Sequence, residues 1–123
     1  MNVLVFIADA LRADHLSCYG YERGTTPNID KFAAEYTKYE NAFTPSTWTR
    51  SIAPSILTGT YPSVHGVNTL DDFFTSDLPR WPEVLQESGY KTVGISAIGN
   101  VSSGIGFDRG FDQFVDLYKD QSL

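Results

Sequence analysis

The sequence is poor in cysteine and in basic residues, and it has no long apolar run. Its 123 residues include one cysteine, Cys18, so no internal disulfide can form and nothing indicates an oxidising compartment. The 9 basic residues stand against 15 acidic ones, and the net charge of −6 argues against nucleic acid or an anionic membrane as the partner. The longest apolar run is about seven residues, whereas a membrane-spanning helix needs ~20.

The first residues lack the pattern of a secretory signal. Met-Asn leads directly into an apolar run, without a basic region, a long hydrophobic region or a small-residue cleavage site. The sequence therefore predicts a cytoplasmic chain with no membrane span. The length and the 41% hydrophobic content predict one folded domain with a modest core.

Strand and helix patterns alternate along the chain, which predicts an α/β fold. Residues 2–8 are almost continuously apolar, as is typical of a strand buried in a parallel sheet, and Asp9 ends this run. The other predicted elements are strands at 38–43 and 91–98 and helices beginning at Pro27, over 50–58 and over 81–88. The order predicts a mostly parallel sheet of three or four strands flanked by helices. Because such sheets commonly have about five or six strands, the pattern indicates an incomplete domain.

Two polar positions are candidates for chemistry. Asp9 follows a predicted central strand, and ligands of open α/β sheets gather beyond the carboxyl ends of strands. Thr49 opens a predicted helix, where backbone N–H groups and the helix dipole favour an anion. A divalent cation held by Asp9 and touching the Thr49 hydroxyl would activate that hydroxyl as a nucleophile. The spacing alone also allows a helix cap at Thr49 or Ser51, and Ser51 is the alternative nucleophile.

Two further side chains belong to this hypothesis. The guanidinium of Arg50 matches a phosphate or sulfate ester, but Arg50 also fits a solvated helix surface. His65 either points into the site as a catalytic group or orients its own loop. For Asp9, the alternative function is to cap the following turn. Hard oxygen ligands favour Ca²⁺, with Mg²⁺ or Mn²⁺ as alternatives, although calcium needs about six to eight oxygens and Asp9 supplies few.

Five short segments occur in an order that forms a recognisable pattern. They are Asp9 with Leu11–Gly20, Thr26–Ala33, Phe43–Pro45 leading to Leu57–Gly59 and Tyr61–Gly66, Leu85–Val93, and Gly106–Asp112. Together they resemble the sulfatase family of the alkaline-phosphatase-like superfamily. The resemblance runs nearly end to end and implies that residues 1–123 are the N-terminal part of a sulfatase-like domain.

The resemblance implies a hydrolase or transferase that acts on small-molecule sulfate or phosphate esters. In this family a divalent cation, usually calcium, is held by acidic residues of the first strand and by a later Asp-Asn or Asp-His pair. The nucleophile is usually a cysteine or serine converted to formylglycine. By its distance from Gly59, the nucleophile position here is Thr49, so no formylglycine is expected.

The sequence departs from the family pattern in four places. Besides Thr49, Ala53 stands where an arginine is expected, Ala10 stands where a second aspartate is expected, and the later ligands do not occur. The first three departures resemble phosphoglycerol transferases, which use threonine directly. The fourth departure, the absence of the later ligands, resembles truncation. An inactive fragment is therefore the alternative to an active enzyme. A missing C-terminal portion or a second chain would complete the site, and whether these residues alone form an enzyme stays open.

Overall fold

A computed structural model describes residues 1–119 of the chain. The chain divides into two compact units, residues 1–43 and residues from 44 onward. Helices and a small parallel sheet make the fold α/β. Among residues 1–119, no helix has the length and apolarity needed to cross a membrane.

The first unit contains two 3₁₀ turns, Ala13–His15 and Ser17–Tyr19, and helix α1, Pro27–Glu35. The predicted helix start at Pro27 is confirmed, because proline occupies the first helical position, where its missing N–H costs no hydrogen bond. Asp30 ties the helix to the turns, since its Oδ1 accepts the Cys18 N–H at 2.9 Å and the Thr26 hydroxyl at 3.1 Å. These polar contacts and the buried side chain of Leu16 hold the helix and the two turns together.

The predicted strands at residues 2–8 and 38–43 are not formed in the first unit. The apolar run is exposed instead: the side chains of Leu4 and Phe6 are 91% and 85% accessible. A strand requires a partner for its backbone hydrogen bonds. Both sheet strands of the described residues lie in the second unit, so neither segment has a pairing partner within its own unit.

Up to residue 119, the second unit contains three α-helices, two 3₁₀ turns (Ser103–Ile105 and Leu117–Lys119) and a two-stranded sheet. The helices are α2 (Thr49–Thr58), α3 (Pro62–His65) and α4 (Trp81–Glu87), and the strands are β1 (Val93–Ser96) and β2 (Gln113–Asp116). The strands are parallel, with Val93 opposite Gln113 and Ser96 opposite Asp116. The predicted helices over 50–58 and 81–88 are confirmed, and the strand predicted over 91–98 is present in shorter form. The described residues thus contain two strands rather than three or four.

One face of α2 forms part of the core of the second unit. This core consists of four buried side chains, Ala53, Val67, Phe74 and Phe107, with partly buried neighbours Leu57, Val101, Ile105 and Phe114. Helix α2 ends at Gly59, whose φ of 69° is left-handed and therefore suits glycine. The core and this stop fix the position of α2, whose first residue is the candidate nucleophile.

Candidate active site

Helix α2 begins at Thr49, and Trp48 occupies the N-cap position. Trp48 has an extended backbone, and its carbonyl accepts the N–H groups of Ser51 and Ile52, each at 3.0 Å. The expectation that Thr49 or Ser51 caps the helix is therefore wrong, because the cap residue precedes both. Thr49 is half-buried, whereas Ser51 is buried. Of the two hydroxyl groups, that of Thr49 is the better placed to meet a substrate.

Asp9 lies in the first unit, at a left-handed turn. Its Oδ1 accepts the N–H of Ala10 at 3.0 Å, so the carboxylate does contact the turn that follows it. Ala10 has a φ of 57°, which costs a residue with a Cβ about 1–2 kcal/mol. Strained backbone of this kind concentrates at functional sites. The geometry is compatible with a functional carboxylate at residue 9.

The side chain of Arg50 is buried rather than solvated. It is 7% exposed, and its Nη2 donates to the carbonyl of Asp72 at 2.7 Å. Its Nε has no hydrogen-bond partner among the described residues. The carboxylate of Asp72 accepts the N–H groups of Asn68 and Thr69, and these bonds lower the pKa of Asp72. The alternative of a solvated surface arginine is therefore wrong.

His65 joins the end of α3 to helix α2. The side chain is 4% exposed, and both ring nitrogens have partners: Nδ1 accepts the Val67 N–H at 3.1 Å, and Nε2 lies 2.9 Å from Ser55 Oγ. Because Nδ1 accepts, Nε2 carries the proton of the neutral ring and donates to Ser55. Ser55 in turn donates to the Ser51 carbonyl at 3.4 Å. This geometry supports the loop-orienting alternative, since neither nitrogen is left to accept a proton from a substrate.

Burial lowers the pKa of His65, which makes stability depend on pH. The neutral ring is favoured in the folded chain, so its contribution is complete above the unfolded pKa of about 6.5 and is lost as pH falls below it. We expect the free energy of unfolding to decrease as pH falls below about 6.5. In H65Q this decrease disappears, and stability at neutral pH drops by about 1–3 kcal/mol because buried hydrogen bonds are lost.

Chemical denaturation across this pH range measures the effect. His15, the other histidine, is exposed, so H15Q is the matched control and should keep the wild-type decrease. A decrease that survives in H65Q and vanishes in H15Q would contradict the assignment.

The described residues do not supply a complete metal site. Among residues 1–119, no group of three or more histidine, cysteine, aspartate or glutamate side chains is placed to hold a metal ion. Asp9 and Thr49 offer hard oxygen donors, which suit calcium or magnesium, but calcium takes about six to eight oxygens. The donor types therefore fit such an ion, whereas their number does not fill its coordination shell.

Comparison with known proteins decides the family. The profile described as Sulfatase matches residues 1–122. The chain belongs to the sulfatase family. It is 29% identical over 108 residues to an N-acetylglucosamine-6-O-sulfatase of Bacteroides thetaiotaomicron, covering 88% of this chain and 19% of that protein. It is 31% identical over 116 residues to arylsulfatase A of Bos taurus, covering 89% and 22%.

A third relative carries a different name. The chain is 36% identical over 86 residues to the low-salt glycan biosynthesis sulfotransferase Agl7 of Haloferax volcanii, covering 70% of this chain and 17% of that protein. The chain thus spans about a fifth of the length of these sulfatase relatives. No solved structure matches it.

Several residues around α2 in this sulfatase-family chain have structural functions that the sequence did not indicate. Ser55 is the partner of His65, and Arg80 and Arg109 bind backbone carbonyls near the core. Ser55 lies one turn after Ser51, a spacing that places both on one helix face. Arg109 lies in the segment Gly106–Asp112, so the family motif was the available signal for it.

Proposed function

We propose that this chain carries the nucleophile half of a sulfatase-family hydrolase that cleaves sulfate esters. The observation that supports it most strongly is the placement of Thr49 at the first residue of α2, on a chain whose family membership is shown. A helix N-terminus presents backbone N–H groups and the positive dipole end to a sulfate group.

In the proposed reaction, Thr49 Oγ1 loses its proton and attacks the sulfur of the ester. The bond between sulfur and the leaving-group oxygen breaks, and that oxygen takes up a proton as the alcohol departs. Water then attacks the sulfur of the threonine ester, releases sulfate and restores the hydroxyl. A divalent cation, when bound, would lower the pKa of the Thr49 hydroxyl and neutralise ester oxygens. Of the two proposed ligands, Asp9 supplies a carboxylate and Thr49 a hydroxyl; Ca²⁺ is the first candidate.

Arg50 and His65 have different functions in this proposal. The Nε of Arg50 is a donor without a partner among the described residues, but it is buried, so contact with an ester oxygen requires a movement of the side chain or its neighbours. His65 acts on the site through its hydrogen bond to Ser55 and does not exchange a proton with substrate.

A second candidate is transfer of the sulfate or phosphate group to an acceptor alcohol. Two observations favour it: threonine at the nucleophile position and a relative named as a sulfotransferase. The chemistry differs only in the second step, where an alcohol replaces water as the attacking group.

Turnover assays separate these functions. We expect release of p-nitrophenol from p-nitrophenyl sulfate when Ca²⁺, Mg²⁺ or Mn²⁺ is present. An added alcohol that raises the rate and appears esterified in the products would favour transfer over hydrolysis. Faster cleavage of bis-p-nitrophenyl phosphate would favour phosphate esters. Absence of all three activities in the 123-residue chain would favour the inactive-fragment alternative, and their absence in the full-length form as well would overturn both candidates.

Calcium binding to the 123-residue chain should be weak. We expect a Kd above about 1 mM, because calcium takes about six to eight oxygens and the described residues contain no acidic cluster. Asp9→Asn should abolish the residual heat in calorimetry, whereas Asp77→Asn makes the same charge change on an exposed residue and should leave it unaltered. Micromolar binding, or equal effects of the two substitutions, would contradict the proposed ligand.

A further inference from the structure

Residues 72–78 form a segment whose alternate carbonyls are bound by arginine side chains. The segment lies outside any helix or strand, and its side chains alternate between more buried and exposed positions. Three arginines donate to four carbonyls: Arg50 to Asp72 (2.7 Å), Arg80 to Phe74 (2.7 Å), and Arg109 to Ser76 (2.6 Å) and Leu78 (2.5 Å). Guanidinium groups thus take the place that a neighbouring strand would have in a sheet. We call this set of contacts the arginine ladder.

Arg80 is fixed on both sides of its guanidinium. It is 1% exposed, its Nη1 donates to the Gly106 carbonyl at 2.5 Å, and the group lies 3.5 Å above the ring of Phe74. Burial lowers its pKa to about 10, which leaves it charged at neutral pH. A guanidinium held by two carbonyls and a ring has little freedom, so the carbonyl of Phe74 is held as well.

Arg109 and Arg80 are linked through the first turn of α4. Arg109 forms an ion pair with Glu83 in which Nη2 donates to Oε2 at 3.1 Å, and Glu83 Oε2 also accepts the backbone N–H of Arg80 at 2.9 Å. Glu83 therefore aligns both arginines against the same segment. Charge-assisted bonds of this kind are short and directional, so we expect them to restrain residues 72–78 more than an ordinary surface loop is restrained.

The third arginine of the ladder is the residue after the proposed nucleophile. We propose that Arg80 and Arg109 are positioning residues: they hold residues 72–78, this segment holds Arg50 through the Asp72 carbonyl, and Arg50 fixes the first turn of α2. This inference rests on the proposed function for its catalytic meaning. The structural coupling from Arg109 to the first turn of α2 depends only on the hydrogen bonds described above.

Hydrogen exchange and kinetics together test the ladder in Arg109→Gln, with Arg109→Lys as the milder variant. Lysine keeps the charge but cannot bind two carbonyls and Glu83 with a planar fork. In Arg109→Gln we expect amide exchange to rise at least about tenfold at Phe74, whose N–H donates to the Ile105 carbonyl, and also at Ser51 and Ile52, with a smaller rise in Arg109→Lys. We expect kcat to fall at least about tenfold and KM to change less than about threefold. Lys91→Gln, at an exposed position, is the control and should change neither.

The outcomes separate this inference from the proposed function. Faster exchange at Phe74 alone, with Ser51, Ile52 and kcat unchanged, would reduce the ladder to a structural support and overturn the inference. If the wild-type protein cleaves no ester, the proposed function fails, and exchange at Ser51 and Ile52 still decides the coupling. If Arg109→Gln does not fold, Arg109→Lys provides the same comparison.

Discussion

Replacing Thr49 with alanine is expected to lower ester turnover by at least about 10³-fold, as removal of a nucleophilic hydroxyl does in other covalent enzymes. Thr49 is the first residue of α2, and the substitution removes its hydroxyl without adding atoms to the core. We expect helix stability to change little, because Trp48 holds the N-cap position. Turnover of p-nitrophenyl sulfate, together with thermal unfolding, separates loss of chemistry from loss of fold.

Two controls sharpen this result. Thr49→Ser keeps a hydroxyl at the same atom and should retain activity within about tenfold of wild type. Ser51→Ala removes the hydroxyl of the alternative nucleophile. Because Ser51 is buried, this substitution should lower the stability of the fold more than the rate of ester cleavage. An active Thr49→Ala protein, with activity lost in Ser51→Ala, would transfer the nucleophile assignment to Ser51.

Local signals were sufficient to predict the helices. Pro27 marks the start of α1, Gly59 marks the end of α2, and the apolar spacing between such signals sets the helical face. Helix-start and helix-end residues affect only the neighbouring one or two turns of helix, so they can be recognised in the sequence. Strands depend on pairing between distant residues, which explains the different outcome for residues 2–8.

The residues around α2 could be predicted only in part. The family resemblance located Thr49, and Arg50 follows it directly, but neither gave a reason for Arg50 to be buried against the Asp72 carbonyl. Contacts between an arginine and a backbone carbonyl have no sequence signature, because every residue offers the same acceptor. Arg80 was missed for this reason, whereas Arg109 lies in the segment Gly106–Asp112 that the family resemblance had marked. The hydrogen bonds of His65 favour one of the two functions predicted from the sequence, namely that His65 orients its own loop.

Gly106→Ala is expected to destabilise the second unit by about 2–5 kcal/mol, combining a left-handed backbone with steric overlap. Gly106 has a φ of 92°, and a Cβ there would lie 2.6 Å from the Phe74 carbonyl oxygen. The same Phe74 oxygen accepts a hydrogen bond from Arg80 Nη2. Arg80 Nη1 donates to the carbonyl of Gly106 itself. The added methyl group would therefore displace the Phe74 carbonyl and disturb both hydrogen bonds that hold the Arg80 guanidinium.

The neighbouring Gly104 provides the matched control for this substitution. A Cβ at Gly104 would come no closer than 3.9 Å to Ser102 Oγ, and its φ is not left-handed, so Gly104→Ala should change stability by less than about 1 kcal/mol. Urea denaturation measures both variants, and hydrogen exchange at Phe74, whose N–H donates to the Ile105 carbonyl at 2.9 Å, reports the local effect. Equal stability of the two alanine variants would mean that the loop from 103 to 106 yields to the added methyl group. In that case the contact between Gly106 and Phe74 does not hold Arg80 in place.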